Sequence, residues 1–374
     1  MERDKITGVI LLLGAFFAAF IGSVLMMGPS LPLMILAPQV YRRVTDQVIG
    51  LWLALPVLLL EVCFGTKFRA IGHKVANERS VIIMNHRTRI DWLFYMAVLL
   101  AYTQTTNLKI ILKTQLKKAP CLGWAMQAAC FVFLARQWVK DRVWLTSVLK
   151  YFSEMRYSFQ LLLFPEGVNF CRVGKERSDA YAHKNDLPQY KYVLHPHTTG
   201  FSFTVDYLRE TKMIDAVYDV TVGYCDVIPE KGELDIFNGN VPKEMQFLIQ
   251  RYPIDALPQN REDLNNWCVE KWKEKERRLE TFYTGSKTFE GQVPGELVNL
   301  SEQSRLFSGF VMAFWIASML LSVWAMWTST TVLWTVVLVM AVYVVLGKYF
   351  EGVDHLSIAS FNFTQDLTHK ARTT

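Results

Sequence analysis

The feature that most restricts how this chain can fold is a set of long apolar runs at its two ends. Residues 6–38 are almost free of charge, and residues 48–64 form a second run that contains Pro56 and Glu61. A helix needs about 20 predominantly apolar residues to cross a bilayer, so the first run is long enough and the second is borderline. We predict that residues 1–66 form N-terminal membrane-anchoring helices, which either cross the bilayer or re-enter one leaflet.

Two further apolar runs near the C-terminus, residues 307–327 and 331–346, are separated only by Thr328-Ser329-Thr330. Backbone polar groups inside a bilayer must be satisfied within the helices, and so short a link returns the second helix beside the first. Residues 286–374 are therefore predicted to form a transmembrane hairpin and its tail. Composition agrees, because 51% hydrophobic and 20% charged residues are too apolar for an ordinary soluble enzyme.

Between these ends, residues 67–285 have the composition of a soluble domain, in which short apolar runs alternate with amphipathic segments. The predicted strands are 68–71, 81–84, 108–112, 131–134, 160–164, 192–194 and 217–222. The predicted helices are 91–101, 138–155, 176–184, 200–209 and 261–283. Such alternation is typical of an α/β fold, a sheet with flanking helices packed on it.

The segment 79–92 contains the strongest local signal for chemistry. A short apolar run reads as a buried strand, the chain breaks at Asn85, and a helix is predicted to begin at Asp91. Residues five apart on a regular helix point about 140° apart, so His86 and Asp91 meet only if His86 lies in the loop. A carboxylate that orients an imidazole and balances its charge makes a general base. The alternative is that His86 caps the helix and Asp91 is an ordinary first-turn acid.

Three further segments place polar residues where a predicted strand ends. Arg136 follows one strand, Glu166 and Gly167 follow another, and Thr198-Thr199-Gly200 follow the third. Each alone has an ordinary interpretation, as a surface cation, a turn acid or a helix start. In an open α/β sheet, however, polar groups beyond the carboxyl ends of several strands converge on one crevice. Four such ends in order favour a functional site.

This ordered set resembles the glycerolipid acyltransferases related to lysophosphatidic acid acyltransferase. That family carries Asn-His-(four residues)-Asp, a strand ending in Arg, Phe-Pro-Glu-Gly, and a Pro-containing strand before Gly, and all four are present. The sequence is similar in more detail to the lysocardiolipin acyltransferase branch, at Asn-His-Arg-Thr-Arg-Ile-Asp-Trp (85–92) and at 123–129, 192–201 and 251–258.

The resemblance implies a glycerolipid acyltransferase-like fold, with a mixed sheet and the catalytic domain at 67–285. It implies transfer of a fatty acyl group from acyl-CoA, as co-substrate without a further cofactor, to an anionic lysophospholipid in the bilayer. His86 would be the general base and Asp91 its orienting partner. Binding of the acceptor or its phosphate would fall to Arg89, Arg136, Glu166, Gly167 and Thr199. A basic loop either contacts CoA or lipid phosphates or is simply solvated; it holds Lys113, Lys117 and Lys118.

Two positions depart from the family's usual pattern. Val168 stands where Thr commonly follows Phe-Pro-Glu-Gly, and His197 stands where the branch usually has Arg. Both changes affect the acceptor side and leave the head-group preference open. We expect lysophosphatidylinositol and lysocardiolipin as acceptors, in the endoplasmic reticulum membrane. The alternatives are a 1-acylglycerol-3-phosphate acyltransferase that makes phosphatidic acid and an inactive membrane scaffold or lipid-transfer protein.

Other function classes find little support in the sequence. The net charge of +6 is modest, and no basic tract with interleaved aromatic residues predicts a nucleic-acid site. The six cysteines are scattered without a Cys-x-x-Cys pair, so neither a disulfide framework nor a zinc site is expected. A metal-dependent hydrolase that uses His86 and Asp91 with His195 or His197 has poor ligand spacing. The oligomeric state stays open.

Overall fold

The computed structural model describes residues 2–303 and 305–373, with side chains over residues 4–303 and 305–365. It divides into two compact units whose segments interleave along the sequence. The first unit consists of Met1–Leu12, Pro56–Gln104 and Phe159–Arg305, and the second of Leu13–Leu55, Thr105–Ser158 and Leu306–Thr374. The boundaries proposed above, at 66/67 and 285/286, stay predictions.

The strands of the described residues are β1 (Lys67–Gly72), β2 (Ser80–Met84), β3 (Leu108–Lys113), β4 (Val132–Leu134), β5 (Gln160–Leu163), β6 (Ala216–Tyr224), β7 (Glu244–Pro253) and β8 (Val298–Asn299). The α-helices are α1 (Glu2–Phe20), α2 (Leu33–Leu36), α3 (Pro38–Phe64), α4 (Asp91–Tyr102), α5 (Leu122–Ala128), α6 (Trp138–Glu154), α7 (Arg172–Lys184), α8 (Thr198–Glu210), α9 (Glu233–Phe237), α10 (Arg261–Thr284), α11 (Leu300–Gln303), α12 (Arg305–Thr328), α13 (Thr330–Tyr349) and α14 (Val353–Thr373).

The first unit is built on a sheet with the strand order β5-β2-β6-β7-β1-β8. Strand β2 pairs in parallel with β5 and β6, β7 runs antiparallel to β6 and parallel to β1, and β8 is antiparallel to β1. All five residues of β2 are buried, as expected for an interior parallel strand covered on both faces. The predicted α/β class with a mixed sheet is confirmed.

The long amphipathic helix α10 packs on α8 and on β6. Its buried side chains recur at helical spacing and include Leu264, Cys268, Trp272, Leu279 and Phe282. Packing of such a stripe against the sheet removes apolar surface from water and anchors the helix. The predicted helix over 261–283 is therefore confirmed as part of the folded domain.

The predicted strand 192–194 is wrong, because this segment is irregular. Its backbone donors are satisfied by side chains instead of by a neighbouring strand. The carboxylate of Glu276 accepts hydrogen bonds from the N–H groups of Tyr192 and Val193 at 2.9 and 3.1 Å. The N–H of Leu194 donates to Glu166 at 3.2 Å. A segment paired in this way has no donors left for a ladder.

Strand β7 was not predicted, because its sequence does not alternate cleanly between apolar and polar residues. The polar Gln246 is 3% exposed within it. Its side-chain oxygen accepts a hydrogen bond from the N–H of Phe289 at 3.0 Å, which makes burial of the amide tolerable.

The second unit contains the parallel pair of β3 and β4 and the apolar helices of the C-terminus. Within the described residues, four helical segments are long and apolar enough to cross a membrane: Asp4–Ser30, Pro38–Phe64, Arg305–Thr328 and Thr330–Tyr349. The second is 27 residues long, so the borderline run 48–64 is part of a helix of full spanning length. Membrane-type helices at both ends, including the C-terminal hairpin, agree with the predicted architecture.

Candidate active site

Asn85 fixes the point at which the chain leaves the sheet after β2. Its Nδ2 donates to the carbonyl of Val222 at 3.2 Å, and its Oδ1 accepts from the N–H of Val222 at 2.8 Å. Val222 lies on the neighbouring strand β6, so the side-chain amide continues the strand pairing where the backbone of β2 has ended. As a result, His86 is held directly beyond the carboxyl end of β2.

His86 and Asp91 form a hydrogen-bonded pair. The imidazole Nδ1 lies 3.0 Å from Asp91 Oδ2, with His86 in the loop and Asp91 at the first position of α4. The His86 ring also stacks on Phe164, with a centroid separation of 4.0 Å. Because the carboxylate engages Nδ1, the neutral imidazole carries its free lone pair on Nε2, which has no hydrogen-bond partner among residues 4–303 and 305–365. The ring is therefore oriented to accept a proton on Nε2.

The Asp91 carboxylate is fully buried, and both of its oxygens accept hydrogen bonds. Its Oδ2 accepts from the N–H of Thr88 at 2.8 Å, and its Oδ1 accepts from the hydroxyl of Tyr224. Burial and the adjacent carboxylate keep the pKa of Tyr224 well above its ordinary value, so this hydroxyl stays protonated and donates. These donors hold the Asp91 carboxyl group in place beside the His86 ring.

Glu166 joins three segments of the first unit. Its Oε1 accepts from the N–H of His86 at 3.1 Å and from the indole Nε1 of Trp272 at 3.3 Å, and its Oε2 accepts from the N–H of Leu194 at 3.2 Å. Burial raises the pKa of Glu166 to about 8, and the three donors oppose that shift. The carboxyl group is 2% exposed, and both of its oxygens are occupied by protein donors. These contacts tie the His86 loop to α10 and to the segment at Leu194, and the predicted roles of Glu166 and Gly167 in acceptor binding stay predictions.

Gly167 ends the turn that follows β5 in a left-handed conformation, with φ of +70°. A Cβ at this position would lie 3.3 Å from Cδ2 of His197. The turn is also tied to the same segment by the hydrogen bond from the N–H of His197 to the carbonyl of Pro165, at 2.8 Å. The backbone conformation and this close approach both favour glycine. His197 therefore lies beside the Phe-Pro-Glu-Gly turn.

The remaining first-unit candidates are on the surface. Arg89 is half-exposed, forms an ion pair with Glu233 at 2.7 Å and donates to the carbonyl of Lys231, also at 2.7 Å. Thr199 is exposed in the first turn of α8. The structure brings His86, Asp91 and Glu166 together and leaves Arg89 in contacts with the α9 segment. The roles of Arg89 and Thr199 in acceptor binding stay predictions.

Arg136 and the three lysines belong to the second unit. Arg136 lies two residues after the end of β4 and adopts a positive φ of +64°. Lys113 is the last residue of β3, and Lys117 forms an ion pair with Asp354 at 2.8 Å. Their contacts with acceptor or CoA phosphates stay predictions, as does that of Lys118.

His195 has its own structural contacts in the first unit. Its Nε2 is hydrogen-bonded to the carbonyl of Pro188 at 3.0 Å, and its ring stacks on Tyr190 at a centroid separation of 4.1 Å. Burial lowers the pKa of His195, which favours the neutral ring. These contacts give the side chain a packing role.

Sequence reasoning missed three residues that hold the site in place. Tyr224 binds Asp91, Trp272 binds Glu166, and Asn85 extends β2. Tyr224 and Trp272 are more than one hundred positions from their partners along the chain, so no local spacing signals the contacts. Asn85 stands inside the Asn-His motif, but its role depends on which strand is adjacent to β2.

Comparison with known proteins places this geometry in a family. The family profile described as "Acyltransferase" matches residues 67–224, and the one described as "Acyltransferase C-terminus" matches residues 235–315. "Lysocardiolipin acyltransferase 1" of Mus musculus is 40% identical over 368 residues, which cover 97% of each chain. The protein of the same name from Gallus gallus is 47% identical over 284 residues, 76% of this chain and 75% of the relative. "Lysophosphatidylinositol acyltransferase 10" of Caenorhabditis elegans is 35% identical over 260 residues, 68% of this chain and 66% of the relative.

Proposed function

This chain belongs to the glycerolipid acyltransferase family, in the branch of the lysocardiolipin acyltransferases, and we propose that it transfers a fatty acyl group from acyl-CoA to an anionic lysophospholipid. The observation that carries the proposed mechanism is the 3.0 Å contact between His86 Nδ1 and the fully buried Asp91. This contact leaves Nε2 of the imidazole for the proton of a substrate hydroxyl.

In the proposed reaction His86 removes the hydroxyl proton of the lysophospholipid as its oxygen attacks the thioester carbonyl of acyl-CoA. The new ester bond forms, the carbon–sulfur bond breaks, and the CoA sulfur leaves with the electron pair of that bond. The imidazolium then returns the proton to the sulfur, so that free thiol and diacyl lipid are the products. Asp91 balances the transient charge on His86.

A thioester is already activated, so two effects suffice for this mechanism. A positioned general base contributes about 10² to 10⁴ in rate. Holding the two substrates in the reacting geometry supplies the rest. Neither effect requires a covalent acyl-enzyme or a bound cofactor.

For the acceptor, lysophosphatidylinositol and lysocardiolipin are supported by the names of the similar proteins. A Cβ built on Gly167 would lie 3.3 Å from Cδ2 of His197. His197, where this chain departs from the usual sequence of the branch, therefore adjoins the Phe-Pro-Glu-Gly turn. A histidine at this point does not supply the permanent cation of an arginine, which bears on how tightly a multiply charged head group is held. We place the enzyme in the endoplasmic reticulum membrane.

The test is acyl transfer from labelled oleoyl-CoA by membranes that contain the wild-type protein or a variant. The acceptors are lysophosphatidylinositol, lysocardiolipin, lysophosphatidic acid and lysophosphatidylcholine. His86→Ala removes the base and is expected to lower the rate by about 10² to 10⁴. His183→Ala is the matched control, because His183 is an exposed histidine on α7 of the same unit.

Transfer to the inositol or cardiolipin acceptor that is lost in His86→Ala and kept in His183→Ala supports both mechanism and acceptor. Preference for lysophosphatidic acid keeps the mechanism and assigns the synthesis of phosphatidic acid instead. Equal background rates for all three proteins on every acceptor would leave an inactive membrane scaffold or lipid-transfer protein.

A further inference from the structure

A cavity of about 600 Å³ lies within the second unit, apart from the unit that contains His86 and Asp91. Its walls come from the loop before α5, from α5 itself, from β4 and the start of α6, and from the last turns of α13 and the first turn of α14. A volume of this size is typical of pockets for small ligands. The candidate general base and its hydrogen-bond partners belong to the other unit, whereas Lys117 and Lys118, predicted above to contact CoA or lipid phosphates, line this cavity.

Two stacked aromatic pairs form much of the apolar wall. Trp124 and Tyr343 have ring centroids 4.8 Å apart and nearly parallel planes, and Trp144 and His355 are 3.7 Å apart. Tyr343 lies in the last turns of α13, a helix long and apolar enough to cross a membrane. Tryptophan and tyrosine are enriched where spanning helices reach the lipid head groups. The cavity therefore has the side chains expected at head-group depth.

The cations of the cavity differ in how they are paired. Lys117 is neutralised by Asp354 at 2.8 Å. Lys118 and Lys140 also line the cavity and are exposed, and neither forms an ion pair within the part of the chain whose side chains are described. Burial and the neighbouring Lys117 lower the pKa of His355 to about 4, so this ring is neutral and adds no charge.

The two acids in the lining do not cancel these lysines. The Asp141 carboxylate accepts hydrogen bonds from the N–H groups of Ala135 and Gln137, each at 2.7 Å, and is occupied in fixing the start of α6. The side chain of Glu351 is 81% exposed. The two unpaired lysines therefore favour an anion that brings oxygen atoms.

We propose that this cavity binds a bilayer phospholipid with an anionic head, its phosphate between Lys118 and Lys140 and its acyl chain against the end of α13. Phosphate oxygens satisfy the lysines, and the aromatic pairs cover the glycerol and the first methylenes. A free phosphate or CoA would offer the same phosphate oxygens but would lack the acyl chain of a lipid. The apolar end of the spanning helix favours the lipid.

Gly347 provides a variant that adds bulk at the cavity wall. Gly347 lines the cavity on α13, and a Cβ built there meets nothing within 4 Å. Gly347→Phe therefore adds a ring from a position where the first side-chain atom has free space. Gly309→Phe is the matched control, because Gly309 lies on the other hairpin helix α12 and also has nothing within 4 Å.

The experiment uses the full chain in phosphatidylcholine vesicles that contain a trace of diazirine-labelled phosphatidylglycerol or, separately, of diazirine-labelled phosphatidylcholine. After illumination, the labelled peptides are identified by mass spectrometry. The phosphatidylglycerol probe is expected to label α6 and the α13–α14 region and to be displaced by unlabelled phosphatidylglycerol. Gly347→Phe should lower this labelling about tenfold, as loss of one charge-assisted contact would, and Gly309→Phe should leave it unchanged.

Equal labelling by the phosphatidylcholine probe, or labelling that survives in Gly347→Phe, would overturn the proposal, since either result means an ordinary lipid-facing surface. Displacement by CoA, by inorganic phosphate or by lysophosphatidylinositol would also overturn it, because the cavity would then hold a donor, a free anion or the acceptor. If Gly347→Phe does not fold, the double variant Lys118→Gln/Lys140→Gln replaces it. The same tenfold loss is expected, because the aromatic walls remain.

Discussion

Replacement of Glu166 by glutamine tests whether this side chain positions the loop or binds the acceptor. The carboxyl group of Glu166 accepts two N–H groups on Oε1 and one on Oε2. At pH 5 this group is protonated, and its hydroxyl oxygen can still accept a hydrogen bond, whereas an amide nitrogen cannot. In the better of its two orientations the glutamine keeps the contacts to His86 and Trp272 and leaves the N–H of Leu194 without an acceptor.

A buried donor left without a partner costs about 1 to 3 kcal/mol. For a domain of this size each kcal/mol lowers the melting temperature by about 2 to 4 °C. We therefore expect Glu166→Gln to melt several degrees below the wild type at pH 5 and to have a lower turnover rate, because the His86 loop is less well held. Glu210→Gln, at an exposed position at the end of α8, is the control and should behave as the wild type.

The pH dependence supplies a second, independent readout of the same group. The folded pKa of Glu166 is raised to about 8 from an ordinary value of 4.5. A raised carboxyl pKa gives stability that is present below the unfolded value and is lost as the pH rises towards the folded value. The wild type should lose up to about 1.4 kcal/mol per pH unit from this group between pH 5 and 8, and the glutamine variant should not. The gap in melting temperature therefore narrows as the pH rises, and near pH 8 the glutamine variant should melt at or above the temperature of the wild type.

Two results would refute this reasoning about Glu166. In the first, Glu166→Gln has the same melting temperature as the Glu210→Gln control at pH 5 and shows only a raised KM for the lysophospholipid. This result would mean that the Glu166 side chain contacts the acceptor. A gap in melting temperature that stays constant from pH 5 to 8 would mean that burial does not raise the pKa. Thermal unfolding in detergent and steady-state kinetics on both substrates measure the two quantities.

Two further predictions concern the same site. Tyr224→Phe removes the hydroxyl donor from the buried Asp91 carboxylate, so we expect a loss of about 1.5 to 3 kcal/mol in stability. The carboxylate that orients His86 is then less firmly held, so kcat should also fall, and a kcat and melting temperature equal to those of the wild type would contradict the assigned contact. Gly167→Ala forces a Cβ into a φ of +70°, which costs about 1 to 2 kcal/mol. Differential scanning fluorimetry should show the lower melting temperature, and an unchanged value would mean that the turn adopts another conformation.

Much of the architecture can be predicted from the sequence because its signals are local. Helical and strand periodicity, together with run length, identifies the membrane helices, the strand β2 and the amphipathic helix α10. The five-residue separation of His86 and Asp91 limits the pair to a loop-to-helix junction, since a continuous helix would turn the two side chains apart. The order of the four motifs was enough to identify the family.

The partners that hold the site could be assigned only from the tertiary structure, because they come from distant parts of the chain. Tyr224 reaches Asp91 from the end of β6, and Glu166 receives donors from α10 and from the irregular segment at Leu194. The sequence of that segment predicts a strand, but its N–H groups donate hydrogen bonds to the side chains of Glu166 and Glu276. Periodicity reports which face of an element is buried, but it does not report which side chain from another element will meet a given backbone donor. The sequence by itself determined the elements and the His/Asp pair, and the packing of α10 and β6 around them decided how that pair is fixed.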